Sequence, residues 1–80
     1  MVILADLGSA LADQGRLREA AATLERVVSS APRMAVARYR LARTYAALGD
    51  VAAARAQYTA LRELDPGLAR QLPVPAGLER

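Results

Sequence analysis

Residues 7–32 read "LGSALADQGRLREAAATLERVVSSAP", and residues 41–66 repeat their pattern as "LARTYAALGDVAAARAQYTALRELDP". Both copies begin with leucine, carry a glycine near the middle (Gly15 and Gly49) and end with proline. The spacing of these matches carries more weight than their number, because a chain so rich in alanine matches itself by chance. A fixed period of 34 residues is typical of folds that stack one supersecondary unit on the next.

Each copy predicts two helices with a turn between them. Apolar and small residues recur at three- and four-residue spacing on both sides of the glycine, and in the first copy they are Ile3, Leu4, Leu7, Ala10, Leu11, Ala20, Leu24, Val27, Val28 and Ala31. The glycine ends the first helix because it adopts the left-handed conformation without steric cost. The proline ends the second helix because it has no backbone N–H to donate. Asp50 is a candidate N-cap for the last helix.

The period, the small residues and the closing proline resemble those of the tetratricopeptide repeat family, whose members form an α-solenoid of paired antiparallel helices. The resemblance covers residues 1–68 and rests on Leu4, Leu7, Gly8, Leu11, Ala20, Leu24, Val27, Pro32, Leu41, Ala42, Tyr45, Ala54, Tyr58, Leu61 and Pro66. The family's usual tryptophan is Leu4 in the first unit and Arg38 in the second. Its glycine, present as Gly8, becomes Ala42.

The predicted fold is therefore all-α. Two tandem helix-turn-helix repeats, residues 1–34 and 35–68, supply four antiparallel helices that form one short solenoid domain. A generic four-helix bundle rich in alanine is the alternative. Residues 69–80 cannot form a third repeat, because Pro73 and Pro75 fall where its first helix would run. This tail is expected to cap the last helix, to be extended or disordered, or to dock on a neighbouring chain.

Composition argues against catalysis. The 80 residues include no histidine and no cysteine, which removes Ser/His and Cys/His nucleophile pairs and zinc sites with the usual nitrogen and sulfur ligands. The five glycines are scattered, so the sequence has no phosphate-binding loop. We predict that the chain is not an enzyme and uses no cofactor or metal.

The sequence shows no signal peptide and no apolar stretch of the roughly 20 residues that span a membrane, so a cytoplasmic location without membrane contact is expected.

The candidate binding site is the concave groove that the resemblance implies, lined by the first helix of each repeat. A helical wheel assigns to it Asp6, Ser9, Asp13, Val36, Tyr39, Arg40, Arg43 and Ala47. Arg40 and Arg43 lie three residues apart and can bind one carboxylate together, while Tyr39 adds apolar area. The expected function is a protein–protein interaction module, or scaffold, that holds a peptide or partner helix with an acidic group. The alternative is that the two arginines pair with Asp6 and Asp13 and only keep the groove soluble.

The two edges of the array differ in charge. Positions that are alanine and valine on the second helix of the first repeat become Arg55 and Arg62 in the second, and a polar outer face is typical of a terminal repeat. We therefore expect the second repeat to be the C-terminal end of the array. The opposite edge is apolar, and two repeats are fewer than the three usually needed for stability. Hence we expect either the C-terminal fragment of a longer array with a purely structural role, or a homo-oligomer whose self-association edge is Met1, Ile3, Leu4, Leu68 and Leu72.

A basic, nucleic-acid-binding accessory domain is the rival function. The formal net charge is +3 and all eleven cations are arginine, a residue that suits phosphate contacts. However, the arginines are spread over several predicted helix faces and interleaved with acidic residues. The three tyrosines leave few aromatic rings for stacking on bases. Nucleic acid is therefore the less favoured partner.

Overall fold

The computed structural model describes the backbone of residues 2–72, and the side chains of Leu7, Gly8 and residues 10–72. Five helices follow one another: α1 (Val2–Asp13), α2 (Leu17–Ser30), α3 (Ala35–Leu48), α4 (Val51–Leu64) and α5 (Pro66–Ala69). This range contains no strand, and the predicted all-α fold of two helix-turn-helix repeats is confirmed. None of the helices in this range is long and apolar enough to span a bilayer. The predictions for residues 73–80 fall outside the described residues.

The turn inside each repeat is built in the same way. Gly15 follows α1 and Gly49 follows α3, with φ of 80° and 83°, so both lie in the left-handed region that favours glycine. A Cβ built on either glycine would meet no heavy atom within 4 Å. The backbone conformation, rather than a lack of space, therefore requires glycine here. The prediction that glycine ends both first helices is confirmed.

The two prolines that close the repeats act differently. Pro32 lies in the turn between α2 and α3, whereas Pro66 is the first residue of α5. Proline suits that position because the first N–H of a helix has no intrahelical partner. The Oδ1 of Asp65 accepts a hydrogen bond of 3.0 Å from the Leu68 N–H and so caps the new helix. The chain therefore adds one helical turn after α4, and this turn packs on α4 and α3.

The helices pack in chain order, α1 on α2, α2 on α3 and α3 on α4, and α1 also touches α3. Contact between neighbours in sequence is the defining property of a stacked repeat array. The largest completely buried side chains are Leu24 and Val27 of α2, Leu41 of α3 and Leu61 of α4. The core between the repeats is therefore formed mainly by α2 and α3.

Helix α1 approaches α2 closely at Gly8. A Cβ on this buried glycine would lie 2.6 Å from the Cγ of Leu24 and 2.8 Å from its Cδ2, well inside the optimal separation of roughly 3.5–4.0 Å between carbon atoms. Leu24 is completely buried, so its side chain has little room to move aside. In the second repeat the corresponding residues are Ala42, which is buried, and Tyr58, which is half-buried.

Arg38 stands where the family resemblance implies tryptophan, and it connects the two repeats. Its Nε donates a hydrogen bond of 2.9 Å to the backbone oxygen of Pro32. Its Nη1 donates a second bond of 3.0 Å to the Oε1 of Gln57 on α4. One guanidinium therefore joins the turn between the repeats to the last long helix.

Candidate functional site

A cleft of about 160 Å³ lies between the first helices of the two repeats. It forms where α1 and α3 lie side by side. Its lining residues come from the end of α1, the start of α2 and residues 40–47 of α3, and they are Ala12, Asp13, Leu17, Arg40, Arg43, Thr44 and Ala47. The two alanines keep the cleft open, because their side chains end at Cβ.

Three charged side chains line this cleft: Asp13 from α1, and Arg40 and Arg43 from α3. The guanidinium of Arg43 lies over the ring of Tyr39, with 5.8 Å between its Cζ and the ring centroid. This distance allows a cation–π contact, which orders the arginine without neutralising it. Within the described residues, Asp13 and Arg43 form no salt bridge with each other. The cleft therefore has a positive wall on α3 and a negative one on α1.

Thr44 is the buried residue of the lining, with 3% of its surface exposed. Its hydroxyl donates a hydrogen bond of 2.8 Å to the backbone oxygen of Arg40, one helical turn earlier. This bond satisfies the buried hydroxyl inside α3. Thr44 therefore gives the cleft its shape, while the two arginines give it its charge.

The cleft brings together four of the eight predicted groove residues, namely Asp13, Arg40, Arg43 and Ala47. Tyr39 is half-buried and packs against an apolar cluster beside α5, which we call the second apolar cluster; its buried members are Ala42, Leu61, Ala69 and Leu72. Tyr39 therefore does not line the cleft itself. It contacts Arg43, which does.

The remaining predicted groove residues lie elsewhere or outside the described side chains. Val36 is 46% exposed on α3 and is absent from the lining of the cleft. The side chains of Asp6 and Ser9 are outside the described residues. The site is therefore built on the end of α1, the start of α2 and the middle and end of α3.

The predicted set left out three of the lining residues, Ala12, Leu17 and Thr44. Leu17 is the first residue of α2, and the tight turn at Gly15 brings it beside the end of α1. Thr44 had a clearer signal, because residues 40, 43, 44 and 47 have the spacing of one helix face. On the wheel Thr44 lies about 40° beyond Arg40, at the boundary between the groove face and the buried face of α3.

The predicted self-association edge is only partly described. Met1, Ile3 and Leu4 lie outside the described side chains. Leu68 is half-buried against the second apolar cluster, and Leu72, a buried member of that cluster, is 8% exposed. Both leucines therefore pack on their own chain in this structure.

A second, more open depression lies between α2 and the turn from α3 to α4, and Tyr45 is one of its lining residues. The hydroxyl of Tyr45 donates a hydrogen bond of 2.6 Å to the Oε2 of Glu25. Burial, this hydrogen bond and the negative charges of Glu25 and Asp50 raise the pKa of Tyr45 to about 12. The bond connects α3 to α2, so we interpret this depression as part of the packing between repeats.

Among the described side chains, no group of histidine, cysteine or acidic residues could hold a metal ion.

A family model described as Tetratricopeptide repeat matches residues 5–69 of the chain. The match includes all of α2, α3, α4 and α5 and most of α1. No curated protein and no solved structure matches the chain.

Proposed function

The chain belongs to the tetratricopeptide repeat family, and on this premise we propose that it is a non-catalytic protein–protein interaction module whose α1–α3 cleft binds an acidic side chain of a peptide or partner helix. One observation carries the proposal. Arg40 and Arg43 line a single cleft together with two alanines, and Tyr39 orders one of the two guanidinium groups.

The size of the cleft favours a side chain of a larger partner over a free small molecule. Its volume is about 160 Å³, whereas small-molecule sites typically enclose roughly 300–1,000 Å³. A glutamate or aspartate side chain suits such a cleft, with the partner backbone running across the alanines. The rest of the partner would contact the exposed surfaces of α1 and α3.

The charges favour one orientation of the bound partner. Arginine binds carboxylates through two parallel N–H donors, so the acidic side chain is expected beside Arg40 and Arg43. Asp13 on the opposite wall favours a basic or hydrogen-bond-donating group next to it. The preferred sequence is therefore an acidic residue close to a basic one.

The expected affinity is modest. An exposed ion pair contributes only about 0–1 kcal/mol, and the cleft offers two arginines and one aspartate. A dissociation constant of 1 μM requires about 8.2 kcal/mol, which exceeds what these pairs supply alone. Micromolar or weaker binding is expected.

The test is a peptide array screened with the chain, followed by anisotropy titrations of the best acidic peptide. The double variant Arg40→Ala/Arg43→Ala is expected to weaken binding at least tenfold. The matched control is Arg26→Ala/Arg33→Ala, which removes the same charge from exposed positions away from the cleft and should keep wild-type affinity. Wild-type affinity in the cleft variant would reject the proposal.

The same variants test nucleic acid as the partner. Exposed arginines on α2, in the turn after it, on α4 and after α5 are spread over different faces, so an oligonucleotide should lose affinity equally in both double variants. Binding of a random oligonucleotide that exceeds peptide binding and falls steeply with salt would favour this alternative.

We propose in addition that the chain self-associates. Leu7 on α1 is 48% exposed, whereas its counterpart Leu41 on α3 is completely buried. A position that α2 covers in the second repeat is therefore exposed in the first. A mass from light scattering that stays at one chain at every concentration would reject self-association.

A further inference from the structure

Tyr39 lies between two surfaces of α3, one apolar and one charged. On the apolar side it packs with Ala35 against the second apolar cluster, to which Ala42 of α3 also belongs. On the charged side it meets Arg43, whose Cζ lies 5.8 Å from the centroid of the tyrosine ring. Residues four apart on a helix are neighbours, and Arg43 lines the cleft. The ring therefore connects the apolar cluster to a side chain of the cleft.

Residues 66–72, which we call the α5 segment, supply two of the four buried members of that cluster. Ala69 is completely buried, and Leu72 has 8% of its surface exposed. Helix α5 packs on both α4 and α3, and the Leu72 N–H donates a hydrogen bond of 3.1 Å to the Ala69 oxygen. The cluster on which Tyr39 packs is therefore complete only while the α5 segment is docked.

The side chain of Arg43 is exposed, and within the described residues it forms no salt bridge. An exposed arginine has many rotamers, and fixing one of them when a partner binds opposes binding. A cation–π contact with Tyr39 restricts the guanidinium. The same structure has Arg43 in the lining of the cleft, so the ring contact and the position in the cleft are compatible. Part of the ordering therefore precedes binding.

We propose that Tyr39 is a positioning residue of the cleft, through which the docked α5 segment strengthens the binding of an acidic side chain. The segment holds the ring, and the ring holds Arg43 where the carboxylate binds. The inference rests on the proposed function and adds a determinant of affinity that lies outside the lining. An exposed cation–π contact is equivalent to a factor of about two to five in affinity. Because coupling is reciprocal, a bound peptide should favour the docked segment by the same factor.

Variants of Tyr39 separate the ring from its packing, with the best acidic peptide from the array as the probe in anisotropy titrations. Tyr39→Leu keeps an apolar side chain on the cluster but removes the ring, and should weaken binding about twofold to fivefold. Tyr39→Phe keeps the ring and should bind as the wild type does. In an Arg43→Ala background, Tyr39→Leu should have no further effect, because the two residues act as one unit.

Three results would overturn the positioning role of Tyr39. Unchanged or tighter binding in Tyr39→Leu would mean that the ring does not help Arg43 to bind. An equal loss in Tyr39→Phe would mean that the hydroxyl, and not the ring, matters. A further loss on adding Tyr39→Leu to Arg43→Ala would mean that the tyrosine contacts the peptide directly.

Leu72→Ala tests the α5 segment. It should weaken peptide binding at least twofold in the wild-type background and have no effect in Tyr39→Leu. The matched control is Val28→Ala, which truncates a side chain that is also 8% exposed but lies in the core between α2 and α3. This control should keep wild-type affinity, with urea unfolding confirming that both variants are folded. No loss in Leu72→Ala, or an equal loss in both variants, would overturn the role of the segment.

Hydrogen exchange provides a readout within the segment itself. The N–H groups of Ala69 and Arg70 donate to the oxygens of Asp65 and Pro66, and none of these residues lines the cleft. Saturating peptide should slow both amides about twofold to fivefold in the wild type but not in Tyr39→Leu. Equal exchange with and without peptide would overturn the coupling.

The double variant Arg40→Ala/Arg43→Ala separates this inference from the proposed function. A peptide that binds this variant as tightly as the wild type, or a wild type that binds no acidic peptide, would overturn both. Binding that requires the two arginines but is unaffected by Tyr39→Leu and Leu72→Ala would overturn this inference alone.

Discussion

The first and second repeats pack their helix pairs at equivalent positions with different side chains. In the first repeat, Gly8 lets α1 approach until Leu24 fills the space that a Cβ would need. In the second, Ala42 and Tyr58 take these positions, and the tyrosine stays half-exposed with the Cζ of Arg62 at 5.8 Å from its ring centroid. The comparison shows that the repeat requires a small residue opposite a large one. Leu24 is completely buried because α3 also packs on α2, whereas Tyr58 lies on α4 and is half-buried.

Exchanging the small residues between the repeats is expected to have the largest effect. Gly8→Ala should lower the free energy of unfolding by roughly 1–3 kcal/mol, as overpacking of a filled core does. Ala42→Gly should lower it by about 1 kcal/mol, the helix-propensity difference between the two residues. Urea unfolding followed by circular dichroism measures both.

Gly67→Ala is the matched control for this exchange, because a Cβ there meets only the Oδ1 of Asp65 at an ordinary 3.5 Å. This variant should be at least as stable as the wild type. If Gly8→Ala were equally harmless, the close approach of α1 to α2 would not limit the size of the side chain at position 8.

The two glycine turns should respond alike, in contrast to the helix contacts. Gly15 and Gly49 have φ of 80° and 83°, and a left-handed conformation costs an alanine roughly 1–2 kcal/mol. Gly15→Ala and Gly49→Ala should therefore lower the free energy of unfolding by similar amounts, as measured by urea unfolding. A marked difference between them would show that one turn is held by its surroundings rather than by its backbone.

The starts of α2 and α4 differ by one capping side chain. Arg16 and Asp50 have nearly equal φ, −86° and −87°, but only Asp50 caps, by accepting a hydrogen bond of 3.1 Å from the Ala53 N–H. Asp50→Ala should cost about 1 kcal/mol, a typical value for a lost N-cap. Thermal unfolding should show a shift of roughly 4–8 °C, as expected for a domain of this size.

A capping side chain placed at the start of α2 tests the same comparison from the other side. Arg16→Asn places a capping oxygen at the uncapped start and should raise the melting temperature. The gain is reduced by loss of the exposed ion pair between Arg16 and Glu19, which contributes about 0–1 kcal/mol. A lower melting temperature would mean that this ion pair outweighs a cap.

The smallest effect is expected from Tyr45, whose counterpart in the first repeat is Leu11. Its pKa is raised from 10.0 to about 12, so the folded state holds the phenolic proton more tightly than the unfolded state. This stabilisation is complete below pH 10 and is lost as the pH rises through 12. Because the bond to Glu25 is exposed, solvent screens it and the loss is small.

Urea midpoints measured across this pH range should fall more steeply in the wild type than in Tyr45→Phe. The chain has no lysine or cysteine, so neither residue type contributes to the slope in this window. Equal slopes in the two proteins would show that the bond between Tyr45 and Glu25 does not stabilise the fold.

The helix ends and half of the cleft could be predicted because both depend on local rules. A left-handed glycine ends a helix wherever it occurs, which explains the success at Gly15 and Gly49. Residue spacing alone fixes the angle between side chains on one helix, so Arg40, Arg43 and Ala47 were assigned to one surface.

The sequence does not show burial where a neighbouring helix decides it. Leu7 and Leu41 hold the same position in the period, but only Leu41 has α2 over it. Tyr39 was assigned to the groove, yet it is drawn against the second apolar cluster, which contains Ala69 and Leu72. Ala69 ends α5 and Leu72 follows it, so the position of this short helix decides which residues Tyr39 meets. No period in the sequence predicts where α5 packs.

The two hydrogen bonds of Arg38 affect whether the two repeats unfold together. An array whose units touch only their neighbours can open one unit at a time from its ends. Arg38 bonds both to the turn at Pro32 and to Gln57 on α4, so detachment of α4 breaks one of the two bonds that hold its guanidinium. Because this one side chain contacts both repeats, we expect the repeats to open together, with their slowest-exchanging amides sharing a single opening free energy.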